Sequence, residues 1–522
     1  MQSGESIEKP AVDHADWADY NSAESESAAN HHEIIFHRKH ITPEHEAFLL
    51  KHHGRTDLNP LPSQDLNDPL NWPEWRKNAQ LALVAFHSFS TTFIASGVIP
   101  AYSNFAEDYG VSLHACTYFT SCQILMLGCI PIFFTPIMVK YGQIKIFLIS
   151  TLGSCVFNIG CIFCKTYGAQ LACRIMCAVF ISPGVAMGGT IVHDVTFAHE
   201  RAAKTGWWSL LYTLGVPAGP LFMGFVVTQT GHWQYMFVVF AATNFIQFLV
   251  YLFAGDETAY DRSKVQTDEV IEAKGYWSNL VTKLYKSHNY HPEMNLLSLK
   301  VYLHPIILSI KNYKVSVAAV SYGIIFGYSN VACSVELPSV FVTKFGFDAQ
   351  QIGLQNIAVI IGSFIGEIIG GKLSDIFMAY CVKKRSGGDK EIVHKKIEDR
   401  FWIAYFGYVM AVVGLIVFGV QTQNARQDHW NVTPLVGLCL TSLGNQVVTT
   451  TMITYAIDSD TANATHISLF IVWLRQVIGF VGPFYFTAMF NNLGFATSFG
   501  IMAAIEGFVA LGIVIVTHII NR

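Results

Sequence analysis

The clearest shortage in this sequence is charge. Only 13% of its 522 residues are Asp, Glu, Lys or Arg, against roughly 25% in an ordinary soluble domain. At the same time 52% of the residues are hydrophobic and the mean hydropathy is +0.37. This composition excludes disordered, collagen-like and small disulfide-stapled proteins, and it is more apolar than soluble cores can bury. We therefore expect a polytopic membrane protein.

The sequence also lacks the signatures of several other functions. Its 33 Lys and Arg against 37 Asp and Glu give a net charge of −4, so there is no basic surplus for nucleic acid. The 11 cysteines lie mostly in apolar runs, and the CxxC spacing of Cys161 and Cys164 has no βαβ context, which argues against redox or metal chemistry. Without a P-loop or a paired His/Asp set, we expect no ATP, cofactor or metal, and no enzyme.

Residues 1–70 are polar, with seven histidines between His31 and His53 at irregular spacing. We interpret them as a disordered cytosolic tail rather than a metal site. They contain no apolar signal-peptide core, so the first span is expected to direct insertion itself.

Runs of roughly 20 apolar residues, the length needed to cross a bilayer core of about 30 Å, occur twelve times. The first six lie near 79–101, 115–138, 146–164, 171–193, 206–227 and 233–254. The second six lie near 316–341, 351–372, 401–420, 432–456, 464–490 and 495–519. We therefore predict four regions: the tail 1–70, a six-helix bundle 71–254, a cytosolic linker 255–315 and a second bundle 316–522.

The distribution of Lys and Arg sets the predicted orientation. With a cytosolic N-terminus, 28 of the 33 fall on the inner side and only Lys165, Lys344 and Arg426 fall outside. Both termini are therefore expected in the cytosol. The predicted fold is all-α, with twelve transmembrane helices in two pseudo-symmetric six-helix bundles, as in transporters with a midplane site. A channel, a receptor and a membrane enzyme are the alternatives, but no filter-like loop supports them.

Two segments that flank the first bundle carry a resemblance to a known family. Asp68-Pro-Leu-Asn-Trp-Pro-Glu-Trp-Arg-Lys77, here called the lead-in segment, precedes the first span. Glu257-Thr-Ala-Tyr-Asp-Arg262, the exit segment, follows the sixth span. They resemble the corresponding segments of the fungal twelve-span drug:proton antiporters of the major facilitator superfamily. The resemblance extends over about residues 68–520.

The superfamily's loop between spans two and three reads Gly-x-Leu-Ala-Asp-Arg-x-Gly-Arg. In this sequence Lys140 and Gly142 match it, whereas Val139 replaces the aspartate. The repeat copy after span eight keeps Gly371 and Asp375. The resemblance implies that Asp375 caps a neighbouring helix and locks the halves together on the inner side; a solvated loop aspartate is the alternative.

Span five contains Gly215, Gly219, Pro220 and Gly224 at the spacing of the antiporter motif Gly-x-x-x-Gly-Pro-x-x-Gly-Gly, with Met223 at one glycine position. Small residues four apart allow close helix approach. A general packing face would look similar, and the motif does not set the direction of transport.

A segment from Tyr455 to Asp460, followed by Trp473-Leu-Arg475, is similar to one in fungal polyamine and organic-cation carriers and drug exporters. The resemblance implies a monomeric, proton-coupled transporter of a small organic solute, working by alternating access in the plasma membrane or the vacuolar membrane. A polyamine, another organic cation or a drug is the favoured solute. A transporter-like nutrient sensor and a sugar carrier are the alternatives.

Four ionisable residues within spans are candidate site residues, since charge in a bilayer is costly. Arg174 matches the superfamily arginine linked to proton coupling, with snorkelling to the interface as the alternative. Arg475 is too deep to snorkel and is expected to pair with a carboxylate or with backbone carbonyls. Glu336 could exchange a proton against a cation, or lie exposed at the extracellular mouth. Glu367 is a candidate for an inner gate or for substrate binding.

Uncharged candidates are polar or aromatic residues within apolar spans. Each could instead make a helix–helix hydrogen bond. They are His87, Gln123, Tyr212, Tyr328, Asn330, Asn356, Asn445, Gln446 and Tyr455.

Overall fold

A computed structural model describes residues 43–521 except 57, 59, 67, 187, 261–294, 386–395, 428 and 461–462. The predicted tail up to residue 42 and the middle of the linker lie outside the described residues. The division into 71–254, 255–315 and 316–522 therefore stays a prediction. Disorder throughout the tail is wrong, however, because Pro43–His53 is a helix whose Leu49 is buried in a cluster with Leu70 and Phe197.

Six membrane-spanning segments form the first half. They are α1 (Glu74–Ser96, continued by Ile99–Ala101 and Tyr102–Tyr109), α2 (Leu113–Tyr141), α3 (Ile144–Phe163), α4 (Tyr167–Ile181, Pro183–Ala186 and Gly188–Val195), α5 (Ala198–Thr230) and α6 (Gln234–Ala254).

Six more form the second half. They are α7 (Tyr313–Ile325, Phe326–Ala332 and Cys333–Val335), α8 (Ala349–Ile368, Ile369–Leu373 and Ser374–Arg385), α9 (Phe401–Asn424), α10 (Thr433–Ser459), α11 (Ala464–Val481) and α12 (Phe495–Ile505, Glu506–Ala510 and Leu511–Asn521). A separate helix, Leu299–Lys311, precedes α7.

The prediction of twelve helices in two six-helix bundles is confirmed. Eleven of the described segments are long and apolar enough to span a membrane. The remaining one, α10, is 27 residues long and carries buried polar residues on the face that it turns to its neighbours, among them Thr441, Ser442, Asn445, Gln446 and Thr449. These polar side chains face the interior of the protein. Polar residues are tolerated in a membrane-spanning helix when they face inward in this way.

Two predicted spans are interrupted by a helix break. The span predicted over 316–341 is interrupted at Glu336, where α7 ends and a new helix, Leu337–Phe345, begins with Pro338 in its first turn. The span predicted over 464–490 ends at Val481, and Pro483–Leu493 follows as a separate helix. Proline removes a backbone donor and clashes with the preceding turn, so both breaks lie where a helix restarts at a proline.

Within each half the helices pack through small residues and short polar contacts, as is typical of membrane helices. In the first half, Ser88 on α1 donates a hydrogen bond to the carbonyl of Gly184 on α4 at 2.5 Å. In the second half, Ser363 on α8 and Ser442 on α10 form a hydrogen bond of 2.7 Å. The surfaces that face away from the interior are apolar, as lipid contact requires, and include exposed Phe163, Phe222, Phe508 and Ile519.

Candidate functional site

A cavity lies between the two halves. The first half contributes α1, α2 and α5, and the second contributes α7, α10 and α11. Side chains of both halves therefore form its wall. The described lining residues are Thr92, Ala95, Ser96, Ile99, Thr120, Ile124, Leu127, Tyr212, Thr213, Val216, Tyr322, Phe326, Asn330, Val331, Ser334, Val335, Asn445, Gln446, Thr449, Arg475 and Gln476.

Arg475 is the charged residue of this wall in the part of the chain that the structure describes. Its side chain is 4% exposed, and its terminal nitrogens donate hydrogen bonds to the hydroxyls of Tyr212 on α5 and Tyr322 on α7. The guanidinium carbon also lies 5.1 Å from the ring centre of Tyr212 and 5.1 Å from that of Phe326. The predicted partner, a carboxylate or a backbone carbonyl, is wrong: the partners are neutral phenols and aromatic faces.

Four amide side chains also line the cavity, beside several hydroxyl groups: Asn330, Asn445, Gln446 and Gln476. The oxygens of Asn445, Gln446 and Gln476 are buried and have no hydrogen-bond partner among the described residues. Buried polar atoms are normally paired, so unpaired acceptors beside a cavity mark places for a ligand or water.

Glu367 lies one layer behind this wall. Its Oε2 accepts hydrogen bonds from Gln446 Nε2 at 2.6 Å and from Thr450 Oγ1 at 2.8 Å. The amide nitrogen of Gln446 is bonded to the carboxylate, and its amide oxygen has no hydrogen-bond partner among the described residues. Glu367 therefore orients a cavity residue and is not itself part of the described lining.

Glu336 lies at the break between α7 and Leu337–Phe345, next to the lining residue Val335. It is fully buried, so the alternative of exposure at the extracellular mouth is wrong. Its Oε2 accepts a hydrogen bond from Thr487 Oγ1 at 3.1 Å, and its Oε1 has no hydrogen-bond partner among the described residues.

Arg174 is fully buried within the first half, and snorkelling is therefore wrong for it. Its terminal nitrogens donate hydrogen bonds to the carbonyls of Ile94 at 3.0 Å and Ala95 at 3.1 Å, near the end of α1. Gln123 Nε2 in turn donates to the carbonyl of Arg174 at 3.0 Å. Both side chains lie behind the cavity wall, where they join α1, α2 and α4.

The cavity does not include Tyr328 or Tyr455. Tyr455 is buried among helices of the second half, with its ring centre 4.4 Å from that of Phe401. Tyr328 accepts a hydrogen bond from the Tyr485 hydroxyl at 3.3 Å. Both tyrosines were predicted to line the binding site from their residue type alone. Residue type does not show which face of a helix turns towards the cavity.

Tyr322 and Glu506 were missed by the sequence analysis. Tyr322 binds Arg475, and Glu506 on α12 is fully buried and accepts a hydrogen bond from Ser329 on α7 at 2.7 Å. That bond joins two π-helical turns, Phe326–Ala332 and Glu506–Ala510, a feature often found at functional sites. A carboxylate within the last apolar run was the available sequence signal for Glu506.

The glycines of α5 contact the neighbouring helices directly. A Cβ atom at Gly219 would lie 2.5 Å from the carbonyl oxygen of Phe93 on α1, and one at Gly215 would lie 2.5 Å from the carbonyl oxygen of Phe89. A Cβ atom at Gly224 would lie 2.5 Å from the carbonyl oxygen of Ala349, which begins α8. The motif thus joins α5 to α1 within its half and, at its end, to the other half. Pro220 takes part too, since its carbonyl would lie 2.6 Å from a Cβ atom at Gly353 of α8.

Further contacts close the same side of the cavity, the face opposite to the two chain ends, here called the far face. The backbone N–H of Gln350 donates a hydrogen bond to Thr228 Oγ1 at 3.1 Å. On the other pair of helices, the ring centres of Tyr118 on α2 and Phe484 after α11 are 4.9 Å apart. The two halves are therefore in contact at the far face through α5 with α8 and through α2 with α11.

The opposite face, where α1 begins and α12 ends, is here called the terminal face. In the first half Gly142 has φ +93°, and a Cβ atom there would lie 2.5 Å from Glu257 Oε2. Glu257 accepts hydrogen bonds from the backbone N–H groups of Gln143 at 2.9 Å and Ile144 at 3.1 Å, and so caps α3. Burial raises the pKa of Glu257 above its usual value, although these backbone donors oppose the shift. Lys140 lies beside this turn, with its nitrogen 5.7 Å from the Tyr141 ring centre.

The lead-in and exit segments are held together at the terminal face, each through a residue just before the other segment. Arg76 and Asp256, the residue before the exit segment, form an ion pair of 2.7 Å. The Tyr260 hydroxyl donates a hydrogen bond to Asp65 at 3.0 Å, and burial raises the pKa of Tyr260 to about 12. Two segments some 180 residues apart thus form one structural unit.

In the second half, Asp375 pairs with Arg400 at 3.1 Å, and Arg400 also pairs with Asp458 at 3.1 Å. All three residues belong to the second half. The predicted lock between the halves at Asp375 is therefore wrong for this conformation. Gly371, in the turn before it, has space for a side chain, with Glu367 Oε1 as the nearest atom at 3.6 Å from a Cβ position.

Comparison with known proteins agrees with this architecture. The profile of the Major Facilitator Superfamily matches residues 84–483. An MFS-type transporter of Schizosaccharomyces pombe is 22% identical, covering 88% of this chain and 87% of its own. The efflux pump vrtL of Penicillium aethiopicum is 25% identical over 86% of each chain, and the efflux pump radE of Floropilus chiversii is 24% identical over 84% of this chain and 80% of its own. Among solved structures, the xylose transporter XylE from E. coli, in a partially occluded inward open conformation, matches with a TM-score of 0.55 at 12% identity, covering 84% of this chain and 97% of that one.

Proposed function

The chain belongs to the Major Facilitator Superfamily, and from that premise we propose that it exports a small amphipathic organic solute in exchange for protons. Membership of this family, together with the curated relatives, makes it a multi-pass membrane transporter of small molecules and not an enzyme. The proposal adds the direction of transport, the coupling to protons and the class of solute.

The observation that carries the proposal is the cavity between the halves, lined by side chains of both, together with the contacts at the far face. Alternating access requires a site of this kind between two bundles that rock against each other. If both termini are cytosolic, as the distribution of Lys and Arg predicts, the far face is extracellular. The protein in this conformation is then shut towards the outside. Curated relatives named as efflux pumps favour export.

For the coupling site we propose Glu336. It is a buried carboxyl group beside the cavity wall, at a helix break, and one of its oxygens has no hydrogen-bond partner among the described residues. Such a group can take up and release a proton as the surrounding helices repack. We further propose a monomer in the plasma membrane, with the vacuolar membrane as the alternative.

Among solutes, an amphipathic drug-like molecule fits the wall better than a polyamine. The wall carries an arginine and apolar side chains such as Leu127, Val216 and Phe326. A polyamine carries several positive charges and needs negatively charged partners in its site. No described lining residue is a carboxylate. The likeness to XylE, at 12% identity, supports the fold and gives no argument for a sugar.

The direct experiment is accumulation of labelled compounds in cells that lack or overexpress the protein. Spermidine, a cationic drug and an amphipathic organic acid should be compared, with and without a proton uncoupler. We expect expression to lower the accumulation of at least one amphipathic compound and the uncoupler to abolish this effect. Higher accumulation on expression would indicate import, and accumulation independent of expression for all three would contradict the proposal.

A further inference from the structure

We propose that the central cavity selects organic anions that also carry hydrogen-bond donors, with the anionic group bound at Arg475. The inference rests on the proposed function, because it takes the cavity between the halves as the transport site. It replaces the cationic solute expected from the family resemblance by a carboxylate, phenolate or similar group on an apolar skeleton.

The state of Arg475 is the first support. A guanidinium has five N–H donors, and the described partners are the hydroxyls of Tyr212 and Tyr322. The Nε–H is buried without a hydrogen-bond partner among the described residues. Phenols orient the guanidinium but do not neutralise it. A buried charge without a counter-charge is unfavourable, so an anion at the cavity would supply what the protein does not.

The second support is the position of the nearby carboxyl groups. Glu367 is turned to Gln446 and Thr450, behind the wall. Glu336 is turned to Thr487, on the helix after α11. Neither is a lining residue, and neither has a described hydrogen bond to Arg475. A cationic solute in the cavity would therefore lie near the positive charge of Arg475, and no carboxylate in the described wall would offset the repulsion.

The third support is the set of unpaired amide oxygens. Glu367 accepts from the nitrogen of Gln446, which leaves Gln446 Oε1 as an acceptor. Asn445 Oδ1 and Gln476 Oε1 are also buried and unpaired among the described residues. A solute with hydroxyl or amide N–H groups would satisfy them, and Phe326 and Leu127 would contact its carbon skeleton. These features together specify a hydroxylated, amphipathic organic acid.

A series of three matched ligands tests this inference without any mutation. We would measure binding of 6-hydroxy-2-naphthoic acid, its primary carboxamide and the corresponding aminomethyl compound to the purified full-length protein by calorimetry. The acid should bind at least about tenfold more tightly than the carboxamide, since a hydrogen bond to a charged group is worth more than a neutral one. The amine should bind most weakly.

Two variants locate the effect. Arg475→Gln should weaken binding of the acid at least about tenfold while leaving the carboxamide within about threefold, and Arg475→Lys should retain part of the preference for the acid. Gln476→Leu keeps the arginine and should weaken the hydroxylated acid more than 2-naphthoic acid, which lacks the hydroxyl. Retained carboxamide binding shows that Arg475→Gln is folded, and retained binding of 2-naphthoic acid shows the same for Gln476→Leu.

The inference is overturned if the amine binds more tightly than the acid, if wild-type protein binds none of the three, or if Arg475→Gln binds the acid normally. Transport in proteoliposomes with an imposed pH gradient separates this failure from failure of the proposed function. Gradient-driven movement of the amine in preference to the acid would overturn the anion assignment and keep the transporter. No gradient-dependent movement of any of the compounds would contradict the proposed function itself.

Discussion

The carboxyl groups of Glu336, Glu367 and Glu506 differ in their surroundings within the second half. Glu367 is half-buried and bonded to two donors of α10, whereas Glu336 and Glu506 are fully buried, each with one described side-chain donor. Only Glu336 directly follows a lining residue, Val335, and it does so at a helix break. This combination makes it the first candidate for proton coupling.

Replacement of Glu336 by glutamine should flatten the dependence of transport on external pH. The amide keeps the size of the side chain and can still accept from Thr487, but it cannot exchange a proton. Transport against pH, normalised to surface protein, is the measurement. Glu107 is an exposed carboxylate near the end of α1 at the far face. The matched control is Glu107→Gln, which should keep the wild-type pH profile.

If Glu336→Gln lowers the amount of protein but leaves the pH profile unchanged, Glu336 has a structural role. An unchanged profile at normal abundance would remove it from the coupling pathway, and Glu367→Gln would then be the next variant to measure.

Sequence alone identifies Arg475 as a deep charged residue but not its partners. Tyr212 and Tyr322 lie 263 and 153 positions away along the chain. Such contacts depend on how α5, α7 and α11 rotate in the bundle, which hydropathy does not report. The same limit explains why Tyr455, a polar aromatic residue in an apolar span, packs against Phe401 instead of lining the cavity.

At the scale of elements, α5 has three roles: it lines the cavity, carries the glycine motif and contacts the other half at the far face. It contributes Tyr212 to the wall, packs Gly215 and Gly219 against α1, and meets α8 at Gly224. The glycine spacing predicts a close helix crossing, and the structure adds which helices cross. The breaks in α7 and α11 were not predicted, because Pro338 and Pro483 lie within apolar runs, and proline is also tolerated inside membrane-spanning helices.

Gly219→Leu should reduce transport at least about tenfold while leaving membrane insertion largely intact. A side chain there meets the Phe93 carbonyl, Ser96 Oγ and Gly97 N within 2.8 Å, so the α1–α5 crossing cannot form as it is. Gly512→Leu is the matched control, since nothing lies within 4 Å of a Cβ atom there. Wild-type transport by Gly219→Leu, at equal surface abundance, would reduce the motif to coincidence.

Gly142→Ala tests the cap of α3. The residue needs φ +93° and lies against Glu257, so alanine is both strained and in collision. We expect a loss of stability of about 1–3 kcal/mol, seen as a lower unfolding temperature of the purified protein. Gly168→Ala, with open space and no positive φ, should unfold as the wild type does. Equal unfolding temperatures for the two variants would contradict this account of the turn.

At the scale of the whole molecule, hydropathy is a sufficient guide to the twelve spans, because a bilayer imposes one length on every helix. It also predicts α10, although this helix carries many buried polar residues, since enough apolar residues such as Leu438, Val447 and Met452 lie between them. What hydropathy could not supply is the conformation. The far face is closed by a few contacts between helices of the two halves. Amino-acid composition does not indicate whether such contacts form.

Cysteine accessibility or tag mapping should find residues 255–315 and 376–400 in the cytosol. These loops are rich in Lys and Arg, which are retained on the inner side. Tags in the two loops should be accessible only after the membrane is permeabilised. An extracellular position for either loop would contradict the proposed orientation, and with it the assignment of the far face to the outside.

Reversible cross-linking of the far face tests alternating access most directly. Thr228 on α5 and Gln350 on α8 are in contact across the two halves, so a double cysteine variant should form a disulfide on oxidation. The matched control joins Gln421 and Thr433, which are also in contact but lie within the second half; the single cysteine variants control for the native thiols. We expect oxidation to stop transport in the Thr228–Gln350 pair, reductant to restore it, and the Gln421–Thr433 pair to remain active throughout. Undiminished transport with the Thr228–Gln350 pair fully cross-linked would contradict alternating access through separation of α5 and α8.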